Sequence, residues 1–183
     1  MRIVISASFT LLLWLCGACL AAEQTNLNGP AQKIVEDLKS IATAYTDYEA
    51  KTGAPPANVE ALVEAGTLET PPKPDCDILE NCTDQTRYEI ANWGDNDGNG
   101  QNDIVIDIVE GGNPNVALCL AVNSLTPGIG SRLWKNEALG SSREPGSWPK
   151  TALPFCVCWS STCDESPSGL DLGDKNIILL LAH

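Results

Sequence analysis

Residues 30–53 read PAQKIVEDLKSIATAYTDYEAKTG, and this stretch decides the fold. Its apolar side chains recur at spacings of four, three, four and three residues, which is the period of one stripe along an α-helix. The stripe consists of Ile34, Leu38, Ile41, Tyr45 and Tyr48. Pro30 is typical of a first helical turn, and Gly53 followed by two prolines stops the helix. The sequence therefore predicts a helix over about residues 30–51, roughly 30 Å long, that lies with one face on another layer, most simply a sheet.

The residues after this helix predict a second, shorter helix and then an extended connection. Asn58 is a typical N-cap for a helix over residues 58–65, and Gly66 ends it. The proline-rich residues 71–74 then favour a stiff, extended backbone.

Short apolar runs predict strands in the rest of the chain, because each run is brief and is bounded by turn-forming residues. The runs are residues 104–109, 116–122, 155–159 and 177–182, with residues 88–93 leading into the first. Residues 123–150 are rich in glycine and proline and predict loops. A long helix followed by several strands predicts an α+β fold.

The first 22 residues have the layout of an export signal, with Arg2 at a basic start and an almost wholly apolar or small run up to residue 22. Three fates are consistent with this segment. It is cleaved as a secretory peptide after Ala21, it is cut before Cys19 as in a lipoprotein, or it stays as a membrane anchor of about 20 residues. In each case residues 23–183 form one exported domain, with the sheet and disulfide region over 76–183.

Export accounts for the cysteines, because an oxidising compartment favours disulfides. Six cysteines lie outside the leader: Cys76, Cys82, Cys119, Cys156, Cys158 and Cys163. Cys76 and Cys82 flank a short polar loop and are predicted to pair. Cys156 and Cys158 would point to the same face of a strand, so we expect one to pair with Cys119 and the other with Cys163. The exported part has no Cys-x-x-Cys, which favours structural disulfides over a redox or metal-thiolate site.

The order of turn residues around the two helices resembles a known family. The resemblance is carried by Tyr48, Thr52, Gly53, Pro55, Pro56, Val59, Leu62, Ala65, Gly66, Leu68 and Pro71. This ordered set is similar to the type IV pilins and the type II secretion pseudopilins, most closely over residues 30–72. The leader stretch Ser8-Phe9-Thr10-Leu11-Leu12 is similar to the start of a processed pilin, although Ser8 and Leu13 stand where the family carries glycine and glutamate.

The resemblance implies a pilin-like α+β fold, in which a long N-terminal helix packs on a small antiparallel sheet. It also implies a structural or assembly role, as a minor subunit of a cell-envelope filament or secretion machine. The partners would be other pilin-like subunits or envelope assembly proteins. The membrane would be involved only through the N-terminal segment, if that segment is retained.

A polar loop before the strand at 104–109 has the spacing of a calcium-binding turn, Asp-x-Asp-x-Asn-Gly-x-x-Asp. The predicted ligands are Asp95, Asp97, Asn99, Gln101 through its carbonyl, and Asp103. Gly100 permits the sharp turn at the sixth position. Ile106 stands where an EF-hand has its bidentate glutamate, so the loop is closer to the short calcium turns of extracellular domains. The alternative is a plain hairpin loop, because Asp, Asn and Gly are ordinary turn formers.

Charge and histidine content disfavour several classes of function. The chain has 24 acidic and 11 basic side chains, a formal net charge of -13, which disfavours binding to nucleic acid. The single histidine, His183, is the last residue, so a Ser-His-Asp triad, a Cys-His pair and a multi-histidine zinc site are all weak candidates.

The sequence thus predicts a non-enzymatic exported protein, periplasmic, extracellular or in the outer cell envelope of a bacterium. One alternative is a soluble binding module on the same fold, which recognises a protein or a glycan through loops that carry Trp134 and Trp148. Another is a small exported hydrolase that uses a pair of carboxylates.

Overall fold

The computed structural model describes residues 8–95, 100, 102–127, 134–135, 153–158 and 175–182. Side chains are described from residue 27 on, apart from those of 134–135, 158, 175 and 182. The helices in these ranges are Ser8–Thr52 (α1), Val59–Glu64 (α2) and Val116–Leu125 (α3). The strands are Leu79–Glu80 (β1), Arg87–Asn92 (β2), Ile104–Val109 (β3), Asn113–Pro114 (β4), Trp134–Lys135 (β5), Phe155–Cys158 (β6) and Lys175–Ala182 (β7).

The main sheet has the strand order β2-β3-β7-β6-β5. Its neighbours are antiparallel, except that β5 runs parallel to β6. The late strand β7 occupies the centre, where Leu179 pairs with Ile106 of β3 and Ile178 pairs with Phe155 of β6. A separate two-stranded pair joins β1 to β4. The strands predicted at 88–93, 104–109, 155–159 and 177–182 are therefore present as β2, β3, β6 and β7.

The long helix α1 lays its predicted stripe on one face of this sheet and against α3. Ile34, Leu38 and Ile41 are at most 1% exposed, and each such buried side chain stabilises the fold by about 2 kcal/mol. The sheet residues beneath them include Ile106, Ile108, Ile177 and Leu179. The predicted α+β arrangement, a long N-terminal helix on an antiparallel sheet, is confirmed.

The limits of α1 differ from the prediction at one end. The helix ends at Thr52, before Gly53 at φ +75°, as expected, but it begins at Ser8 and carries Pro30 inside it. A proline has a helical φ, but inside a helix it removes one N–H donor and its ring crowds the carbonyl four residues earlier, so the continuation through Pro30 costs about 3 kcal/mol. Within the part of the chain that the structure describes, no helix combines the length and the apolarity needed to cross a bilayer.

The prediction of a strand over residues 116–122 is wrong, because this run forms α3. The side chain of Asn115 caps the helix by accepting a hydrogen bond from the N–H of Leu118 at 2.9 Å. Val116, Cys119 and Val122 recur at helical spacing and are buried. A continuous apolar run fits a buried helix as well as a buried strand, and the cap and the helical spacing decide it.

Two disulfides tie the fold together. Cys76 pairs with Cys82, as predicted, with 5.3 Å between their Cα atoms. Cys119 of α3 pairs with Cys156 of β6, with 5.2 Å between the Cα atoms, which is one of the two pairings left open by the sequence. The side chain of Cys158 and the whole of Cys163 lie outside the described residues. Two disulfides in one small domain indicate that the protein folds in an oxidising compartment.

The opposite face of the sheet is also buried. Val105, Phe155, Val157, Ile178 and Leu180 form a second apolar cluster and are at most 4% exposed. Ala91 and Trp93 pack against this cluster from β2 and from the residue that follows it. The sheet is therefore shielded from solvent on both faces, and its central strands are apolar on both sides.

Candidate functional site

The predicted calcium loop connects β2 to β3 at one end of the sheet. The N–H of Trp93 donates to the carbonyl of Asp103 at 3.0 Å, and the N–H of Asp103 donates to the carbonyl of Gly94 at 2.8 Å. These bonds extend the hairpin by one pair beyond Asn92 and Ile104. The loop therefore leaves from a fixed base, and Asp103 belongs to that base.

Asp95 and Gly100 show how the loop turns. Oδ2 of Asp95 accepts a hydrogen bond from the N–H of Gly100 at 2.9 Å, so the first and sixth positions of the motif lie together. Gly100 has φ +86°, a backbone conformation that favours glycine. This is the sharp turn that the motif predicts at its sixth position.

Two of the five predicted ligands can thus be placed, and they differ in exposure. Asp95 is exposed, whereas Asp103 is fully buried at the base of the loop. Asp97, Asn99 and Gln101 lie outside the described residues. The described residues alone contain no group of three or more acidic, cysteine or histidine side chains that could hold a metal ion. The oxygen donors at both ends fit a hard cation such as calcium.

A second carboxylate, Asp107, is buried in the sheet and does not belong to the loop. Its Oδ2 accepts a hydrogen bond from Nδ2 of Asn176 at 2.8 Å, and its Oδ1 accepts one from the N–H of Ile108 at 2.7 Å. Burial raises the pKa of the Asp107 carboxyl to about 7, although both hydrogen bonds act to lower it, and the negative charge of Glu89 adds to the rise. Asp107 stands directly opposite Glu89 on the neighbouring strand.

A groove of about 370 Å³ is lined by residues of β2 and of the start of α2. Its walls are residues 57–60 at the start of α2 and residues 87–90 of β2. Glu89 lines this groove, whereas Asp107 is not among its lining residues. Hence the carboxylates of Glu89 and Asp107, although opposite each other, do not both line this groove.

The tryptophans of the predicted partner surface are only partly placed. The backbone of Trp134 lies at one edge of the sheet, where it pairs with Val157 of β6. Trp148 lies outside the described residues, as does the side chain of Trp134. A partner surface formed by these two residues stays a prediction.

Comparison of the chain with protein-family models, with curated proteins and with solved structures found no match.

The sequence did not predict two features of this region, the groove and the buried carboxyl of Asp107. The groove forms where residues 57–60 meet residues 87–90, and nothing in either segment alone indicates that they lie side by side. For Asp107, the signal was present: a lone aspartate within the apolar run of β3 predicts a buried acid that needs hydrogen-bond partners.

Proposed function

We propose that the protein is an exported structural or assembly protein, a pilin- or pseudopilin-like subunit of a bacterial cell-envelope filament or secretion system. The observation that supports this most directly is α1, a helix from Ser8 to Thr52 whose later part packs on an antiparallel sheet. Its earlier part carries the apolar leader sequence. The same element thus joins the leader to the core of the domain, as the pilin-like fold requires.

The proposed location is the periplasm, the extracellular space or the outer cell envelope. The two disulfides favour these compartments over a reducing one. The proposed partners are other pilin-like subunits or envelope assembly proteins, and the membrane is involved only through the N-terminal segment if that is retained. The net charge of -13 disfavours a role with nucleic acid, and the proposed role is structural rather than catalytic.

Fractionation with N-terminal sequencing tests the proposed role. We expect cleavage after Ser8, a methylated amino group on Phe9, and recovery of the protein in sheared filaments or with the envelope assembly. Recovery only as a soluble monomer that starts near Ala22 would contradict the subunit role. That result would favour the second candidate, a soluble binding protein, for which the groove beside β2 is the supporting observation.

We also propose that the loop between β2 and β3 binds calcium through Asp95, Asp97, Asn99, the carbonyl of Gln101, and Asp103. The turn at Gly100 and the position of Asp95 across from it support this proposal. The ion would offset the repulsion among three aspartates and fix the end of the hairpin, with the modest affinity of extracellular calcium sites.

Isothermal calorimetry on the metal-free protein tests the calcium proposal. We expect one calcium-binding event that Asp97→Ala weakens at least about tenfold, because a charged oxygen ligand is lost. Asp84→Ala is the matched control, since Asp84 is an exposed aspartate outside the loop. No heat of calcium binding, or equal affinity in the two variants, would exclude the loop as the site.

A further inference from the structure

The outer edge of β2 presents main-chain hydrogen-bonding groups to the groove. The N–H of Trp93 points toward β3, because it donates to Asp103 there. Successive N–H groups along a strand point to opposite sides, so those of Tyr88 and Ile90 point away from β3, as do their carbonyls. In the part of the chain that the structure describes, β3 is the only strand that pairs with β2.

The edge of β2 borders the groove, which is also lined by the start of α2. Tyr88 and Ile90 both line it, together with Asn58 and Val59. Its volume of about 370 Å³ lies in the range of protein ligand sites. An extended chain beside β2 would lie about 4.8 Å from it, and its alternate side chains would point to opposite faces of the sheet.

The charges around the groove are mostly negative. Glu60 and Glu89 line it, and the one basic side chain, Arg87, is bound to Glu89 at 2.8 Å and lies 4.0 Å from Glu110. Glu89 and Glu110 therefore flank the guanidinium group of Arg87, and together with Glu60 these four side chains have a formal charge of about -2. A positively charged segment complements the negative charge around this groove. A second copy of the chain, with a net charge of -13, does not.

We propose that the groove between residues 57–60 and β2 binds an extended, basic segment of a partner protein, which joins the sheet as a further strand beside β2. The main-chain groups of Tyr88 and Ile90 supply the strand pairing, and Glu60 and Glu89 select lysine or arginine side chains. This proposal does not depend on the pilin-like role, because a soluble binding protein would use the same edge.

Three capped peptides and NMR of the ¹⁵N-labelled protein test the proposal. The first peptide, Thr-Lys-Val-Lys-Val-Lys-Thr, is basic and suited to a strand. The second has glutamate at each lysine position. The third has proline at each valine position, so it keeps the charge but loses two main-chain N–H donors. We expect the first peptide to shift the amide signals of Tyr88, Ile90 and residues 58–60, and to bind at least about fivefold tighter than either control.

A pair of charge reversals on α2 locates the basic contact. Glu60→Lys adds a positive charge at the groove, whereas Glu64→Lys makes the same change on the same helix outside the groove; both positions are exposed. We expect Glu60→Lys to weaken binding of the first peptide about threefold or more, and Glu64→Lys to leave it within about twofold. Melting curves of both variants establish that they are folded.

Two results would overturn the proposal. Equal affinity for the valine and proline peptides would mean attraction to an acidic surface without strand pairing. Shifts at Tyr88 and Ile90 that depend on protein concentration, without peptide, would mean that a second copy occupies the edge.

Discussion

Asp107 keeps a carboxyl group inside the sheet, between Glu89 on one neighbouring strand and Asn176 on another. In the unfolded chain this group has an ordinary pKa near 3.8, whereas in the folded protein burial raises the pKa to about 7. Between these two values the folded protein binds more protons than the unfolded chain does. The contribution of Asp107 to the free energy of unfolding therefore decreases as the pH rises through this window.

We expect the contribution of Asp107 to be fully present below about pH 4 and to be lost as the pH rises through 7, a change on the order of 2–4 kcal/mol. Asp107→Asn removes the titrating group and keeps a side-chain oxygen that can accept the hydrogen bond from the N–H of Ile108. The variant should be more stable than the natural protein at pH 8, with a flatter pH profile in urea unfolding.

Asp84→Asn is the control for the pH experiment, since Asp84 is exposed. Its pH profile should follow that of the natural protein. If Asp107→Asn also keeps the full slope between pH 5 and pH 8, another group is responsible for it.

Gly112 is a residue where even one added methyl group should destabilise the fold. It has φ +77°, and a Cβ there would lie 2.6 Å from Cγ2 of Thr86 and 3.0 Å from Cγ2 of Ile108. Thr86 cannot easily move, because its hydroxyl donates to the carbonyl of Glu110 and accepts from the N–H of Thr83. We expect Gly112→Ala to lower the free energy of unfolding by about 3 kcal/mol, measured in urea.

The matched variant is Gly53→Ala, where φ is +75° but nothing lies within 4 Å of the added carbon. It should cost only about 1 kcal/mol, the penalty of the left-handed backbone alone. Equal losses in the two variants would mean that crowding at Gly112 contributes nothing.

Among the elements, α3 is held to β6 by three kinds of contact. Cys119 and Cys156 form the disulfide, and the amide of Asn123 bonds both main-chain groups of Cys156, accepting from its N–H at 2.7 Å and donating to its carbonyl at 3.4 Å. The hydroxyl of Thr126, the residue after α3, donates to the carbonyl of Pro154, the residue before β6. The amide of Asn123 thus satisfies main-chain groups of β6 as a neighbouring strand would.

The two disulfides should differ in their effect on stability. Their sequence separations are 37 for Cys119–Cys156 and 6 for Cys76–Cys82, and the longer loop restricts the unfolded chain more. We expect the double replacement of Cys119 and Cys156 by alanine to lower the free energy of unfolding by about 4 kcal/mol, and that of Cys76 and Cys82 by about 2 kcal/mol, both measured in urea. A larger loss from the shorter loop would contradict this explanation.

The local sequence pattern is enough to predict some of the elements but not all of them. The buried stripe of α1 could be predicted, because helical spacing and burial coincide from Ile34 to Tyr45. Residues 116–122 were predicted as a strand because their apolar run has no polar interruption. The cap residue Asn115 was the available signal for a helix.

For the molecule as a whole, the fold class could be predicted but the order of the strands could not. The α+β class follows from one long amphipathic stretch and several short apolar runs. The order β2-β3-β7-β6-β5 depends on pairings such as Val105 with Leu180, which no local pattern specifies. For the same reason the turn at Gly100 could be predicted from a contiguous motif, whereas the groove beside β2 could not.

The central position of β7 determines when the sheet can form during synthesis of the chain. β3 ends at Val109 and β7 begins at Lys175, so about 65 residues separate two strands that must lie side by side, and a ribosome needs roughly 3–13 s to make them. Throughout that interval one edge of β3 has main-chain N–H and carbonyl groups that are not yet paired with β7, and such an edge can pair with a strand of another chain. The five-stranded sheet therefore cannot form until residues 175–182 have been made, and until then β3 lacks one of its two neighbouring strands.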